Sequence, residues 1–244
     1  MHLRRESALK VRYLIKFTKE SNIKFISHLD LMRTIHRTVR RSGIKAKYSK
    51  GFNPHMIMSI AQPLSVGVYS YSEYLDIELE EVISENNVIE KLNMAAPSGI
   101  KFLDAKMIIE KENTKKPPTA MAAVEGAKYI IKIKYNNDAV LKDELQSLYL
   151  KENWQTIKKS KKGEKVVDIK PMIKEFEYTV ENNLLTIETI VSCGSKENLS
   201  ADLLGNFIKE NTSNAISDAF VEIKRLELYG MKNKKLVPLN KAIV

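Results

Sequence analysis

Residues 111–124 read K-E-N-T-K-K-P-P-T-A-M-A-A-V, and whether they form a linker decides the fold. The stretch is polar, follows neither the helical nor the strand period, and is stiffened in an extended form by Pro117 and Pro118. As a linker it divides the 244 residues into two halves, each long enough to bury a small core. The same order of elements then stands on both sides of it.

In the first half, V-R-Y-L-I-K-F-T at 11–18 reads as a strand. Ser27, with Asp30 three residues on, makes a capping box for a helix that runs to about Arg41 and stops at Gly43. Residues 44–49 and 56–60 extend strand around the G-F-N-P turn, and Y-L-D-I-E-L-E at 74–80 alternates strictly. Ser84 caps a second helix that Pro97 must end, and 100–109 closes the half as a strand. In the second half, strand 128–135, helix 138–150, a hairpin of 165–180 and 184–191 around E-N-N, helix 200–211 and strand 220–228 repeat that order. The expectation is an α+β protein of two ferredoxin-like (βαββαβ) domains in tandem. An extension at 1–10, domains at 11–110 and 125–230, the linker between them and a tail at 231–244 complete the division. Helices would cover one face of each four-stranded sheet and leave the other free for a partner.

A hydrophobic content of 43% with 29% charged residues is that of a soluble globular protein. No apolar run approaches the roughly 20 residues that cross a bilayer, so no membrane association is expected. M-H-L-R-R-E-S-A-L-K lacks the apolar core of a secretory signal, which points to the cytoplasm. The single cysteine, Cys193, excludes a disulfide within the chain and any four-thiolate metal or cluster site. No histidine has a metal-ligand spacing, and a metal site is not expected. Net charge is +10, concentrated in residues 1–50 (+11) and 156–174 (+5), while residues 51–113 carry −6. Blocked positive charge is the footprint of a phosphate-binding surface, or else simply a basic protein surface.

The helix H-L-D-L-M-R-T-I-H-R-T-V-R-R puts Leu29, Met32, Ile35 and Val39 near one side. Arg33, His36, Arg37, Arg40 and Arg41 fall on another, where like charges three and four apart repel. A polyanion would relieve that repulsion and release counterions. Lys45, Lys47, Tyr48, Lys50 and Phe52 follow at once, basic residues interleaved with aromatics that can hold a backbone and stack a base. A plain turn with Phe52 buried is the competing account. Lys158, Lys159, Lys161, Lys162 and Lys165 surround Gly163 in an expected flexible loop behind Trp154, a second phosphate contact or a solubilising loop. His28, His55 and Tyr48 are the alternative catalytic candidates, because metal-independent RNA cleavage needs a base and an acid near neutral pKa. Asp76, Glu78 and Glu80 share one face of their strand, read as a wet sheet face or as a contact for the basic helix or a partner protein. Cys193 reads as a buried, inert thiol.

The motifs R-Y-L-I-K-F, F-I-S-H-L-D-L-M-R, R-R-S-G-I, Y-S-K-G-F-N-P-H, A-Q-P-L-S-V-G and S-E-Y-L-D-I together resemble the radical-SAM-associated (radical-SAM-linked) protein family. A-A-P-S-G-I-K-F-L-D-A and V-D-I-K-P-M-I-K fit it as well, so the resemblance covers about residues 11–230. That family is a bacterial domain of unknown function, found alone or behind a radical SAM domain, often near genes of RNA metabolism. The resemblance implies a radical SAM partner that carries the iron–sulfur cluster and S-adenosylmethionine. This chain lacks the C-x-x-x-C-x-x-C such chemistry needs, so no cofactor is expected in it. The duplicated order and basic helix are also similar, by fold analogy, to CRISPR RNA-processing endoribonucleases. The expected function is a non-catalytic accessory protein that binds RNA (tRNA or rRNA) for a radical SAM enzyme in RNA modification or processing. A metal-independent endoribonuclease and a protein-interaction adaptor without nucleic acid are the alternatives.

Overall fold

The structure is a computed structural model, and it describes residues 11–109, 116–160 and 163–243. Strand β1 (Val11–Lys19) is buried on both faces. Helix α1 (His28–Arg41) follows, its first turn closed by the Ser27 hydroxyl, which accepts from the Asp30 N–H at 3.2 Å as the sequence pattern predicts. Gly43 takes φ +72° just beyond the helix end. Then come the short β2 (Met58–Ile60), the long β3 (Tyr69–Leu79), α2 (Glu85–Ala95) capped by Ser84, and β4 (Phe102–Ile109).

The stretch quoted above is only in part a connection. Residues 110–115 lie outside the described residues, but Thr119 caps a one-turn helix, α3 (Ala120–Ala123). The second half runs β5 (Gly126–Lys134), α4 (Leu141–Leu150), β6 (Gln155–Ser160), β7 (Gly163–Asp168), β8 (Ile173–Glu181) and β9 (Leu184–Ser192). Helix α5 (Ala201–Glu210), β10 (Glu222–Lys232), β11 (Lys235–Pro238) and α6 (Leu239–Ile243) complete it. Asn182 and Asn183 turn the β8–β9 hairpin at φ 53° and 60°, left-handed values that asparagine tolerates. The strand expected over 165–180 is broken, because Pro171 enters a 3-10 turn at 170–172 and cannot donate to a ladder. Residues up to 168 pair with β6 instead, as a separate two-stranded ribbon. Trp154 therefore precedes a strand, and its ring is in the core, stacked on Phe207 at 5.3 Å with its Nε1–H donating to the Leu148 carbonyl.

The fold is α+β, built on one large, mostly antiparallel sheet. Within the first half the strand order is β4-β1-β3-β2, and within the second it is β10-β5-β9-β8. The expected pair of separate four-stranded sheets is corrected here: β10 joins β3, and the described strands other than the ribbon form a single nine-stranded sheet. The junction is short. Lys224 and Arg225 pair in parallel with Tyr69 and Ser70, while β2 takes the other end of the same β3 edge at Leu75–Ile77. Register places Tyr13, Ile15 and Phe17 on the sheet face that receives Leu31, Ile35 and Val39 of α1 and Val88 and Leu92 of α2. Ile131 and Ile187, in the second half, pack with Leu204 and Ile208 of α5 in a second core. That second core also takes in Leu14 and Ile108 from the reverse face of the first half, where Ala120, Leu239 and Ile243 cover them. The residues after 230, a tail in the sequence reading, thus form β11 and α6 and seal that face. No helix among the described residues is long and apolar enough to cross a membrane.

Candidate nucleic-acid interface

Packing of Leu31, Ile35 and Val39 against the sheet leaves Arg33, Arg37, Arg40 and Arg41 exposed, but the four differ in what they touch. Arg33 pairs with Asp30 at 3.0 Å on the exposed surface, so an acid does sit at the head of the stripe. The Ser27 hydroxyl and then Arg33 hold the Asp30 carboxyl below its usual range. Arg41 turns away and donates to the Ala95 carbonyl at 2.8 Å, closing the end of α2 beside a cavity of about 820 Å³. Arg40 donates from Nε to the Tyr48 hydroxyl at 3.3 Å, and exposed Arg37 lies one turn before Arg41. The guanidiniums left to meet a ligand are therefore Arg37 and Arg40, with Arg33 half neutralised.

Tyr48 belongs to a hairpin laid on the β3 edge. The Lys47 N–H donates to the Glu78 carbonyl at 2.8 Å, the Ile57 N–H to Lys47 at 2.9 Å, and Tyr48 pairs with Met56. The tip, residues 50–55, is exposed throughout, and Phe52 is 99% exposed, so the buried-Phe52 account does not hold. Gly51 supplies φ +130° at the tip, where a side chain would be strained. Lys45 and Lys50 are exposed and Lys47 is half-buried, which places three lysines on or beside the hairpin that Arg40 clasps.

The histidines separate. His28 opens α1, half-buried, with its Nδ1 enclosed and unpartnered. The His55 Nδ1 lies 2.8 Å from the Ser49 hydroxyl at the hairpin base. His36, one turn before Arg40, is brought to the same place: burial, then the Arg40 charge, then His55 lower its pKa. Tyr48, Arg40, His36 and His55 thus share the contact between α1 and the hairpin. The spacing of His36 to Arg40 signals this in the sequence, but nothing there shows that the ring is half-buried.

On the far side of His55 a cleft of about 570 Å³ runs between the hairpin and residues 116–122. In it Arg12 Nε and Asp76 Oδ1, both buried and without hydrogen-bond partners, face each other at 3.7 Å. Asp76 also accepts from the Ala120 N–H at 2.6 Å, and Arg12 donates to the Pro117 and Pro118 carbonyls. The wet acidic face expected around Asp76 is therefore covered at its centre. Burial pushes the Asp76 carboxyl above its ordinary range.

The second lysine block is the β6–β7 ribbon rather than a loop. Lys158 donates to the Asn198 carbonyl at 2.8 Å and is committed there, whereas Lys165 is exposed. The backbone of Lys159 pairs opposite Glu164. Lys161 and Lys162 lie outside the described residues. Asn198 also accepts from Gln62 at 3.3 Å, so the ribbon is tied through this loop to the chain just after β2. Among the described residues no cluster of side chains suits a metal ion.

A family model described as "Uncharacterized protein conserved in bacteria (DUF2344)" matches residues 12–201. No curated protein matches the chain. Among solved structures, a chain of a Cbf5-Nop10-Gar1 complex is similar over 91% of this chain at 11% identity and a TM-score of 0.48. The present chain spans about half of that one, 49%. An unknown protein from Galdieria sulphuraria is similar over 88% of this chain and 97% of its own, at 7% identity and a TM-score of 0.26. A putative glycine cleavage system transcriptional repressor is similar over 90% and 98%, at 10% identity and a TM-score of 0.23.

Proposed function

We propose, from the premise that the chain belongs to the DUF2344 family of uncharacterized bacterial proteins, that it is an RNA-binding accessory protein whose binding surface is α1 and the hairpin beside it. The reading rests on one observation. Arg37 and Arg40 lie exposed on a helix face that continues into a hairpin whose tip carries Lys50 and the fully exposed Phe52. A soluble chain gains nothing from a bare aromatic on a glycine turn amid cations, whereas a phosphate backbone with unstacked bases uses both. The two halves, each ordered fourth-first-third-second, are read as a tandem of ferredoxin-like units whose helices share one face. The resemblance noted above adds a radical SAM enzyme as the partner, supplying the iron–sulfur cluster and S-adenosylmethionine, with tRNA or rRNA as the ligand.

The test is binding of the purified chain to tRNA and rRNA fragments across a salt series. Steep weakening with salt is expected, its slope set by the phosphates neutralised. Arg37→Glu with Arg40→Glu is expected to abolish binding with the melting temperature nearly unchanged, since neither side chain packs in the core. Undiminished affinity in that variant overturns the reading and leaves the adaptor role. The closeness of His36, His55 and Tyr48 favours a second reading, metal-independent RNA cleavage. Cleavage that persists with a chelator and is lost in His55→Ala would establish it.

A further inference from the structure

Four large aromatics, three of them exposed and Tyr69 half-buried, cluster at the junction of the two halves, away from the hairpin. Phe25 (65% exposed) comes from the loop before α1, and Phe220 (54% exposed) from the loop before β10. Their rings meet edge to face at 6.1 Å, and Lys24 Nζ stands over both, 5.3 and 5.4 Å from the centroids. Just beyond, Tyr69 and Tyr71 meet at 6.3 Å, and Lys224 Nζ stands 4.7 Å over the Tyr71 ring. Each ring group thus carries a lysine, and among the described residues neither lysine is ion-paired to a carboxylate.

These rings are held rather than loosely displayed. Buried Lys19 donates to the carbonyls of Lys24, Ile26 and Val68, which pins the loop that carries Phe25. Lys209 donates to the carbonyls of Ser217 and Ala219, which pins the approach to Phe220. Phe220 itself lies on Gly67, where an added Cβ would stand 2.7 Å from its ring. Fixing large apolar rings in water sacrifices side-chain and loop freedom without burying them, which makes sense for a preorganised contact. Phe25 precedes the Ser27 cap by two residues, so the cluster adjoins the head of α1. From there the stripe of Arg33, Arg37 and Arg40 runs along the helix for about 10 Å toward the hairpin, at about 1.5 Å per residue.

We propose that the Phe25–Lys24–Phe220 cluster is a stacking site for unpaired RNA bases, so that the ligand is an RNA with a single-stranded segment lying along α1. This rests on the RNA-binding reading above and narrows it. Cations interleaved with fixed rings match a single strand, in which each base offers a π-face beside its phosphate. A protein partner would more simply meet apolar side chains without lysines set over them.

The experiment compares the full chain with three double variants: F25A/F220A, F25L/F220L and R37E/R40E. The probes are a labelled oligouridine of about 12 nucleotides, within the site size of one single-strand binding fold, and an RNA duplex of the same length at equal salt. Both F25A/F220A and F25L/F220L are expected to weaken oligouridine binding about tenfold or more, while duplex binding stays within about twofold of the parent. Unchanged oligouridine affinity in F25A/F220A, with loss in R37E/R40E, overturns the stacking site and leaves the RNA reading standing. Full affinity in F25L/F220L also overturns it, since leucine keeps the apolar surface without the ring. If the parent chain binds neither probe, both readings fall and the cluster is a protein contact. The phenylalanines are exposed, so a melting curve matching the parent is the expected control.

Discussion

His36 shows how much one side chain's surroundings change its meaning. In sequence it stands among arginines as a further cation; in the structure it is half-buried, and burial, Arg40 and His55 hold its imidazole below the ordinary value. Between that lowered pKa and about 6.5, the unfolded chain binds a proton that the folded chain refuses. Stability therefore rises with pH across that window and levels above it. Melting followed from pH 7 downward is predicted to show the parent losing stability relative to His36→Asn, with equal slopes above the window. Arg41 shows the same from the other side. It belongs to the arginine stripe by spacing, but its bond to Ala95 makes it a tie between α1 and α2. Spacing places a residue on a helix side, and only the neighbouring element decides whether it faces water.

Among elements, those legible in the sequence are the ones whose cause is local. The α1 cap, the stop at Gly43 and the asparagine turn between β8 and β9 depend on neighbours within a few residues, and all three are observed. The β6–β7 ribbon was missed because its lysine-rich strands lack an apolar alternation. The join of β3 to β10 was illegible for a different reason. It rests on buried Arg225, which donates from Nε to buried Glu73 at 2.8 Å, from one terminal nitrogen to the Gln62 carbonyl at 2.6 Å and from the other to the hydroxyl of buried Tyr129. In sequence Arg225 and Glu73 look like outward charges of amphipathic strands, and about 150 residues separate them. Glu73→Gln leaves that guanidinium buried without a counter-charge, and a loss of about 3–5 kcal/mol is predicted by denaturant unfolding. Glu73→Gln with Arg225→Met should recover most of it, because the pair is then absent rather than broken.

For the molecule as a whole, Cys193 offers a report on cooperativity. It lies just past the end of β9 in the second core, 2% exposed, and burial pushes its thiol up to about 11. In the native state it is thus both shielded and protonated near pH 8.5, the range in which a free thiol reacts. Alkylation is predicted to proceed only as fast as the core opens, and Glu73→Gln should accelerate it if the junction and the second core unfold together. The candidate site reads differently at this scale as well: the arginine helix was visible from charge alone, whereas the cleft at Arg12 and Asp76 needs residues 116–120 folded back over β1 and β3. That folding back also fixes an order of events. The reverse face of the first half is finally covered by Leu239 and Ile243, with Asn240 donating to Asp104 at 3.0 Å. A chain emerging from the ribosome must therefore carry that apolar face uncovered until residues 239–243 have been translated, which leaves the nascent first half open to misassociation for that long.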